Sequence, residues 1–527
     1  MEFKEVSVAK TSNLKDGEMK SFSIGEGVEI LITKIDGKFY AMDAHCTHYG
    51  APLEEGVLCD GVIICPRHHA CFNARTGDLM EPPAMNSLRN YEVKITGDEV
   101  IVNIPEKPEP GRVPGMVKQD TKTDKRIFII LGAGAAGNAA AQALREGGFK
   151  GYIIMITQEN HLPYDRPNLS KAYLSGEAPA EWMPLRSDDF FKENGIEMLF
   201  NKKIKEVDIV KKEILTDKSE KFIFDKLLLA TGGVPRKLNI PGSDLKNIFY
   251  LRSFDDSDKI IQAAKSAEKV VVIGASFIGM ETAFSLSERK LDVTVIGPKK
   301  VPFENVFGRE IGMLFKKAHE EHGVKFKLDA AISKFEGKDN VEAIVLENGE
   351  KIKTDLVVIG IGVKPATDFI KGIELQKDGG IKVNEFLQVN DNIYAAGDIA
   401  QFPDLYSGQS IRIEHWRTAE QQGRIVGFNM AGKKTPFKGI PFFWTEQAGL
   451  DLKYAGHAKH WDSIYTQGDI SSKNFISFFI KDGKVVAAIG NNHNKEIAAL
   501  ECLILKGKRL SETNLKDKSY NLLKDTK

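Results

Sequence analysis

The chain has 527 residues, with 73 Lys plus Arg balanced by 73 Asp plus Glu, so it offers no net field to nucleic acid or to an anionic membrane. With 42% hydrophobic and 28% charged residues, and no apolar run near the roughly 18 residues of a membrane span, the composition is that expected of a soluble multidomain protein. Its first twenty residues mix acidic and basic side chains before any apolar stretch, unlike a signal or transit peptide, so a cytoplasmic location is the expectation.

In chain order, residues 1–105 read as short strands (28–35, 38–42, 62–64 and 91–95) broken by turn signals, which predicts an all-β domain. Of five cysteines, Cys46, Cys59, Cys65 and Cys71 cluster in this region while Cys502 stands alone, a pattern of metal or redox chemistry rather than of a disulfide framework. Cys46 and His48 share one loop, and Cys65 and His68 share another. Paired in this way, two thiolates can hold one iron and two neutral imidazoles the other of a Rieske [2Fe–2S] centre. Zinc is the rival for the same donor set, although zinc-finger spacing groups Cys with Cys and His with His.

The stretch 104–124 carries four prolines and many charges without an apolar period. Residues 106–124 are read as an interdomain linker, long enough for the first domain to swing yet equally able to act as a static tether. From residue 125 apolar strands alternate with helices. A strand at 126–131, the turn Gly132, Gly134, Ala135, Ala136, Gly137, a helix to 147 and a strand at 151–156 ending near Glu159 form a βαβ unit built to hold a pyrophosphate. The unit recurs at 269–296, with Gly274, Ser276, Phe277, Ile278 and Gly279 in the turn. Its second strand ends without a carboxylate but with Lys299 and Lys300 beyond it, which leans toward NADPH over NADH unless both lysines are merely solvated. The expected fold is therefore multidomain: an all-β domain (1–105), then two α/β Rossmann-like folds. The first fold occupies 125–254 and 381–432, the second 255–380, and a small α+β domain closes the chain at 433–527.

The segments CTHYGAPL and CPRHHACFNARTG resemble Rieske ferredoxin domains. Respiratory Rieske proteins carry a further cysteine in each loop, where Ala51 and Arg67 stand here, so the resemblance is to the lower-potential ferredoxin type. Cys59 and Cys71 are then expected to be packed thiols. His45 and His69, the latter where the family often has glycine, are expected on the surface or in packing. Ala230-Thr231-Gly232-Gly233, the strand 356–362 and Ala395-Ala396-Gly397-Asp398 resemble the pyridine-nucleotide–disulfide oxidoreductase flavoproteins over 125–430. Leu162-Pro163-Tyr164-Asp165-Arg166-Pro167-Asn168-Leu169-Ser170-Lys171 narrows the match to oxygenase-coupled ferredoxin reductases and apoptosis-inducing-factor-like proteins.

That resemblance implies FAD on the first glycine motif and NADPH or NADH on the second. It places Gln158, Glu159, Arg166, Lys171, Ile204, Thr231, Gly232, Arg252, Gly362, Gly397, Asp398, Glu414, His415 and Trp444 about the cofactors. Lys171 and Glu281 would form a catalytic ion pair beside the flavin ring, where a fixed cation favours the reduced flavin. No cysteine lies between Cys71 and Cys502, which excludes disulfide-reductase chemistry at the flavin. The expected function is an NAD(P)H-dependent flavoprotein reductase. It would pass electrons through FAD to the fused cluster and on to an outside acceptor: a ferredoxin, a cytochrome, an oxygenase or a small molecule. The alternatives are a slow, redox-gated signalling flavoprotein, or the reductase component of an oxygenase or nitrite-reducing system. A monomer or homodimer is expected, with neither a nucleic-acid partner nor a membrane span.

Overall fold

The computed structural model describes residues 3–25, 27–517 and 519–526. The N-terminal domain is all β. A six-stranded antiparallel sheet runs in the order Phe3–Lys10, Glu99–Pro105, Asn90–Thr96, Lys38–Asp43, Glu29–Ile35, Glu18–Ser23. Because side chains alternate across a strand, Ile30 and Ile32 enter one core with Val100 and Val102, while Leu31 faces a second core with Cys46, Leu53, Cys65 and Phe72. That second core lies beneath a four-stranded sheet, Val57–Cys59, Val62–Ile64, Cys71–Asn73 and Leu79–Glu81; the Cys46 loop leads from the six-stranded sheet into its first strand, and the Cys65 loop joins its second strand to its third.

Two doubly wound sheets follow. Ile127–Leu131, an unbroken apolar run as a strand buried on both faces requires, pairs in parallel with Tyr152–Ile156 and Lys226–Leu229. Lys269–Ile273 does the same between Asp292–Gly297 and Leu356–Ile359. The strand pairing moves two segments across the expected boundaries. Ile248–Tyr250, expected in the first fold, pairs with Leu356–Ile359 of the second sheet. Ile370–Lys371, expected in the second, pairs with Ile204–Asp208 of the first fold. Both are short strands whose partners are distant in sequence, so local periodicity carries no sign of their sheet. The last domain is a five-stranded antiparallel sheet backed by the helix Asn494–Leu505. One face of that sheet, with Leu452, Tyr454, Phe475 and Ile489, shares a core with the second dinucleotide fold. Among the described residues no helix is long and apolar enough to cross a membrane.

In this structure the first domain is held against the rest of the chain at several places. Gly111 N–H donates to Asp43 at 2.8 Å. Further along, Val117 N–H donates to Arg145 O at 3.1 Å and Asp120 N–H to Lys150 O at 2.9 Å. The linker is thus seated on the first domain at one end and on the first dinucleotide fold at the other. Arg186 adds hydrogen bonds to Met85 O at 2.7 Å and Asn86 Oδ1 at 2.8 Å. One expectation is overturned: Cys59 is not a packed thiol and Cys502 is not alone, for the two form a disulfide. The helix Asn494–Leu505 folds back onto the strand Val57–Cys59, and an apolar patch of Val57, Ile64, Ala498 and Ala499 brings the sulfurs together. Sequence clustering could not show a contact made only by the folded domains. Cys71 is a buried free thiol, as expected.

Candidate cofactor sites

The two ligand loops are backbone twins. Cys46 N–H donates to Ala51 O and Gly50 N–H to Cys46 O, both at 2.9 Å; Cys65 N–H donates to Ala70 O at 2.9 Å and His69 N–H to Cys65 O at 3.2 Å. This fold turns His48 and His68 toward each other with their Nδ1 atoms 3.1 Å apart. Cys46 and Cys65 are buried and hydrogen-bonded to one another, and that bond holds the Cys65 thiol below its ordinary value, helped by the amides of Arg67 and His68. Burial pushes His48 down to about 4 and holds His68 well below the usual imidazole range, which favours the neutral rings that ligands must be. The donors therefore come as a thiol pair and an imidazole pair. The donor set fits a [2Fe–2S] cluster.

The glycine turns are equally alike. A Cβ on Gly137 would lie 1.9 Å from Gly132 O, and one on Gly279 would lie 1.9 Å from Gly274 O. These glycines let each helix pack against its own turn. A Cβ on Gly134 would meet nothing within 4 Å, and Gly134 caps the helix Ala135–Glu146 with no side-chain bond to its first amides. Open space in front of free helix N–H groups is the cradle a pyrophosphate needs. In the second turn exposed Ser276 occupies the corresponding place.

The remaining expected residues fall into three groups. Glu159 accepts from Tyr164 at 2.5 Å and pairs with Arg166 at 2.8 Å, while Gln158 beside it is exposed. Arg252 pairs with Asp398 at 2.9 Å, next to Gly232 and Gly397, and Arg412 joins the Asp398 carbonyl to the Glu414 carboxylate. Lys171 pairs with Glu281 at 2.7 Å; Ser170 donates to the same carboxylate at 2.6 Å and Thr445 at 2.9 Å. His415 is deeply set, its ring pushed down to about 3 by burial and by Lys171, with an unpartnered Nδ1. Three expected residues stand apart. Thr231 spends its hydroxyl on Ala366 O at 2.7 Å, Ile204 packs on the first core, and Gly362 lies at the strand end of the second fold. At the second turn Phe277 packs on Phe443 at 5.2 Å, Ile278 is exposed, and Lys299 and Lys300 are exposed without an ion pair among the described residues.

Sequence reasoning missed what joins the two sites. Tyr49, next to His48, hydrogen-bonds Asp165 of the ten-residue motif. The His68 ring lies 4.5 Å from Trp444, whose ring meets His415 at 5.1 Å. Arg67 pairs with Asp451 at 3.6 Å, and His69, far from exposed, stacks on Phe442 at 3.8 Å. Arg417 is fully buried and donates to His69 O at 2.8 Å and to Glu501 at 3.0 Å. Burial alone would raise the Glu501 carboxyl, but Arg417 and His69 outweigh it and hold it below the ordinary value. Ser170, Thr445 and Tyr49 each adjoin a residue that was singled out, so adjacency was the available signal; Glu501 had none.

The chain matches the family described as pyridine nucleotide-disulphide oxidoreductase over residues 126–423, the Rieske [2Fe-2S] domain over 4–92 and the reductase C-terminal domain over 442–525. It is 34% identical over 517 residues to apoptosis-inducing factor 3 of Homo sapiens, covering 96% of this chain and 85% of that protein. With a rubredoxin-NAD(+) reductase of Pseudomonas putida it shares 33% identity, over 73% of this chain and 94% of the relative. In structure it is similar to the covalent putidaredoxin reductase–putidaredoxin complex, with a TM-score of 0.72 at 29% identity, covering 76% of this chain and 98% of that one. The chain belongs to the pyridine nucleotide-disulphide oxidoreductases. Within them it is a ferredoxin-reductase-type NAD(P)H oxidoreductase with a Rieske domain, and FAD, NAD(P)H and a [2Fe–2S] cluster are its cofactors.

Proposed function

We propose that this chain reduces its own Rieske cluster: electrons enter from NAD(P)H at the second dinucleotide fold and leave through the N-terminal domain to an outside acceptor. FAD supplies the change from hydride to single electrons, and the cluster supplies a one-electron store. The observation that carries the reading is the seating of His68 against Trp444 and of Tyr49 on Asp165, which sets the imidazole edge of the cluster site against the flavin site. In the structural neighbour a reductase is joined to a separate protein, putidaredoxin. Here the corresponding partner is part of the chain, and its contacts at Trp444 and Asp165 support transfer from a docked domain.

Each of the chain's own groups then has a task. Cys46, Cys65, His48 and His68 hold the cluster. The Gly132–Gly137 turn, Glu159, Arg166, Arg252 and Asp398 hold the dinucleotide of FAD, and Glu414, His415 and Trp444 border its ring. Lys171, fixed by Glu281, keeps a cation where the ring gains negative charge. Neutral His415 neither adds to that charge nor cancels it. Anaerobic mixing of the isolated holoprotein with NAD(P)H tests the route. The cluster should bleach with no other protein present; a cluster left oxidised beside reduced flavin would sink the reading.

Lys299 and Lys300 are read as contacts for a 2′-phosphate at the second fold. NADPH should serve at least as well as NADH. Replacing both lysines by Ala should cost NADPH about tenfold more than NADH in kcat/KM, the loss of one charge-assisted contact of roughly 1.5 kcal/mol. Equal losses for both nucleotides would place the lysines in solvent.

A further inference from the structure

The second ligand loop differs from its twin at one place that none of the assigned roles uses. In the first loop the residue four beyond the ligand cysteine is Gly50, with φ 72°; in the second it is His69, with φ 57°. A histidine in left-handed backbone carries a conformational cost that glycine avoids. Its side chain is also fully buried, flat against Phe442 with an interplanar angle of 23°. The Nδ1 of that ring is hydrogen-bonded to Glu501 Oε2, while Glu501 Oε1 accepts from Arg417. Arg417 closes the circuit on the His69 carbonyl, and reaches Pro82 O at 3.3 Å and Glu81 at 3.2 Å as well.

Three domains meet in this one network. His69, Pro82 and Glu81 come from the Rieske domain. Arg417 comes from the helix Trp416–Met430, two residues after His415, and Glu501 from the C-terminal helix. A side chain held on one face by a ring and at its edge by a buried carboxylate has little freedom, and neither has the backbone that bears it. That backbone is contiguous with His68.

We infer that His69, Glu501 and Arg417 form a clamp of positioning residues that holds the His68 edge of the cluster at its seat on Trp444, and so sets the rate of electron passage from flavin to cluster. The inference rests on the intramolecular route proposed above. It assigns the clamp no contact with cluster or flavin; it acts through the loop.

The test uses the full-length holoprotein, three single variants and one double variant. His69→Gly restores the residue of the twin loop, so the loop itself should form. Glu501→Gln removes the acceptor charge without touching the loop backbone. His69→Asn tolerates the left-handed backbone and keeps a donor at the same reach, since Nδ2 of Asn and Nδ1 of His are both bonded to Cγ. Iron content and the rate of flavin reduction by NAD(P)H should be those of the unaltered protein in all three. The flavin-to-cluster step should slow on the order of tenfold in His69→Gly and Glu501→Gln, as expected when a reacting pair loses its fixed geometry. It should be largely retained in His69→Asn, and the His69→Gly/Glu501→Gln double variant should be no slower than either single one. Amide hydrogen exchange across 65–70 should rise in the two slow variants and not in His69→Asn. An unchanged internal step in His69→Gly, or additive losses in the double variant, would overturn the clamp. His69→Asn as slow as His69→Gly would assign the effect to ring packing on Phe442 and overturn the hydrogen-bonded network. If the unaltered protein does not reduce its own cluster, it is the proposed route that fails.

Discussion

Gly134→Val should yield a folded protein that no longer retains FAD, whereas Gly137→Ala should yield one that folds poorly whether FAD is supplied or not. The two positions lie three residues apart in the same turn but meet different surroundings. A Cβ at 137 falls 1.9 Å from Gly132 O, inside a fixed backbone, so the helix Ala135–Glu146 must move off its strand. Overpacking of that kind costs about 1–3 kcal/mol or more when backbone is the obstacle. At 134 no atom lies within 4 Å of the added carbon, so that carbon itself meets nothing in the apoprotein. The branched side chain would instead fill the cradle before the helix N–H groups. Thermal unfolding of apoprotein separates the cases: Gly134→Val should melt near the unaltered apoprotein and bind FAD at least a hundredfold more weakly, about 2.7 kcal/mol. Normal FAD retention in Gly134→Val would place the pyrophosphate elsewhere.

The second large effect concerns Lys171. Removing it by Lys171→Ala leaves the Glu281 carboxylate, 5% exposed, with only the hydroxyls of Ser170 and Thr445. An unpaired buried charge costs on the order of 3 kcal/mol, so the variant should lose stability as well as speed. The two consequences come apart in Lys171→Met/Glu281→Gln, where no charge is stranded. Stability should return, while flavin reduction by NAD(P)H stays slower by about tenfold or more, since roughly 1–3 kcal/mol of stabilisation of the reduced ring is gone. Full recovery of both would make the pair a structural tie without a part in reduction.

How much of this was legible beforehand depended on the range of the interaction. The βαβ units were legible because strand, glycine turn and helix are contiguous, and Gly132–Gly137 and Gly274–Gly279 show the same close approaches in space that their spacing implies. The cluster loops were legible because each holds its Cys and His within a few residues. Lys171 with Glu281 is expected only through a family resemblance, which names Arg252 and Asp398 but not their pairing, for the partners of each pair are more than a hundred residues apart. What stayed hidden was made entirely by docking. Cys59 and Cys502 are separated by 443 residues, and no local pattern distinguishes a thiol facing a core from one facing a partner across a domain boundary. The sequence leaves His69 between packing and surface, because a single histidine beside two ligands carries no sign of its environment. The linker's prolines are compatible with reach or with a tether, and only the folded chain shows its backbone hydrogen bonds to both flanking domains.

A docked Rieske domain, tied by the linker, by Arg186 and Arg417 and by a disulfide, also bears on the acceptor. On the proposed route electrons would not wait for the domain to travel, and the internal step would belong to a single molecule. Anaerobic stopped-flow mixing of the holoprotein with one equivalent of NAD(P)H, followed at flavin and cluster wavelengths, measures that step directly. The account predicts that cluster bleaching follows flavin reduction with a first-order rate constant that stays the same over a tenfold range of protein concentration. A cluster that stays oxidised, or one whose reduction speeds up in proportion to protein concentration, would contradict it.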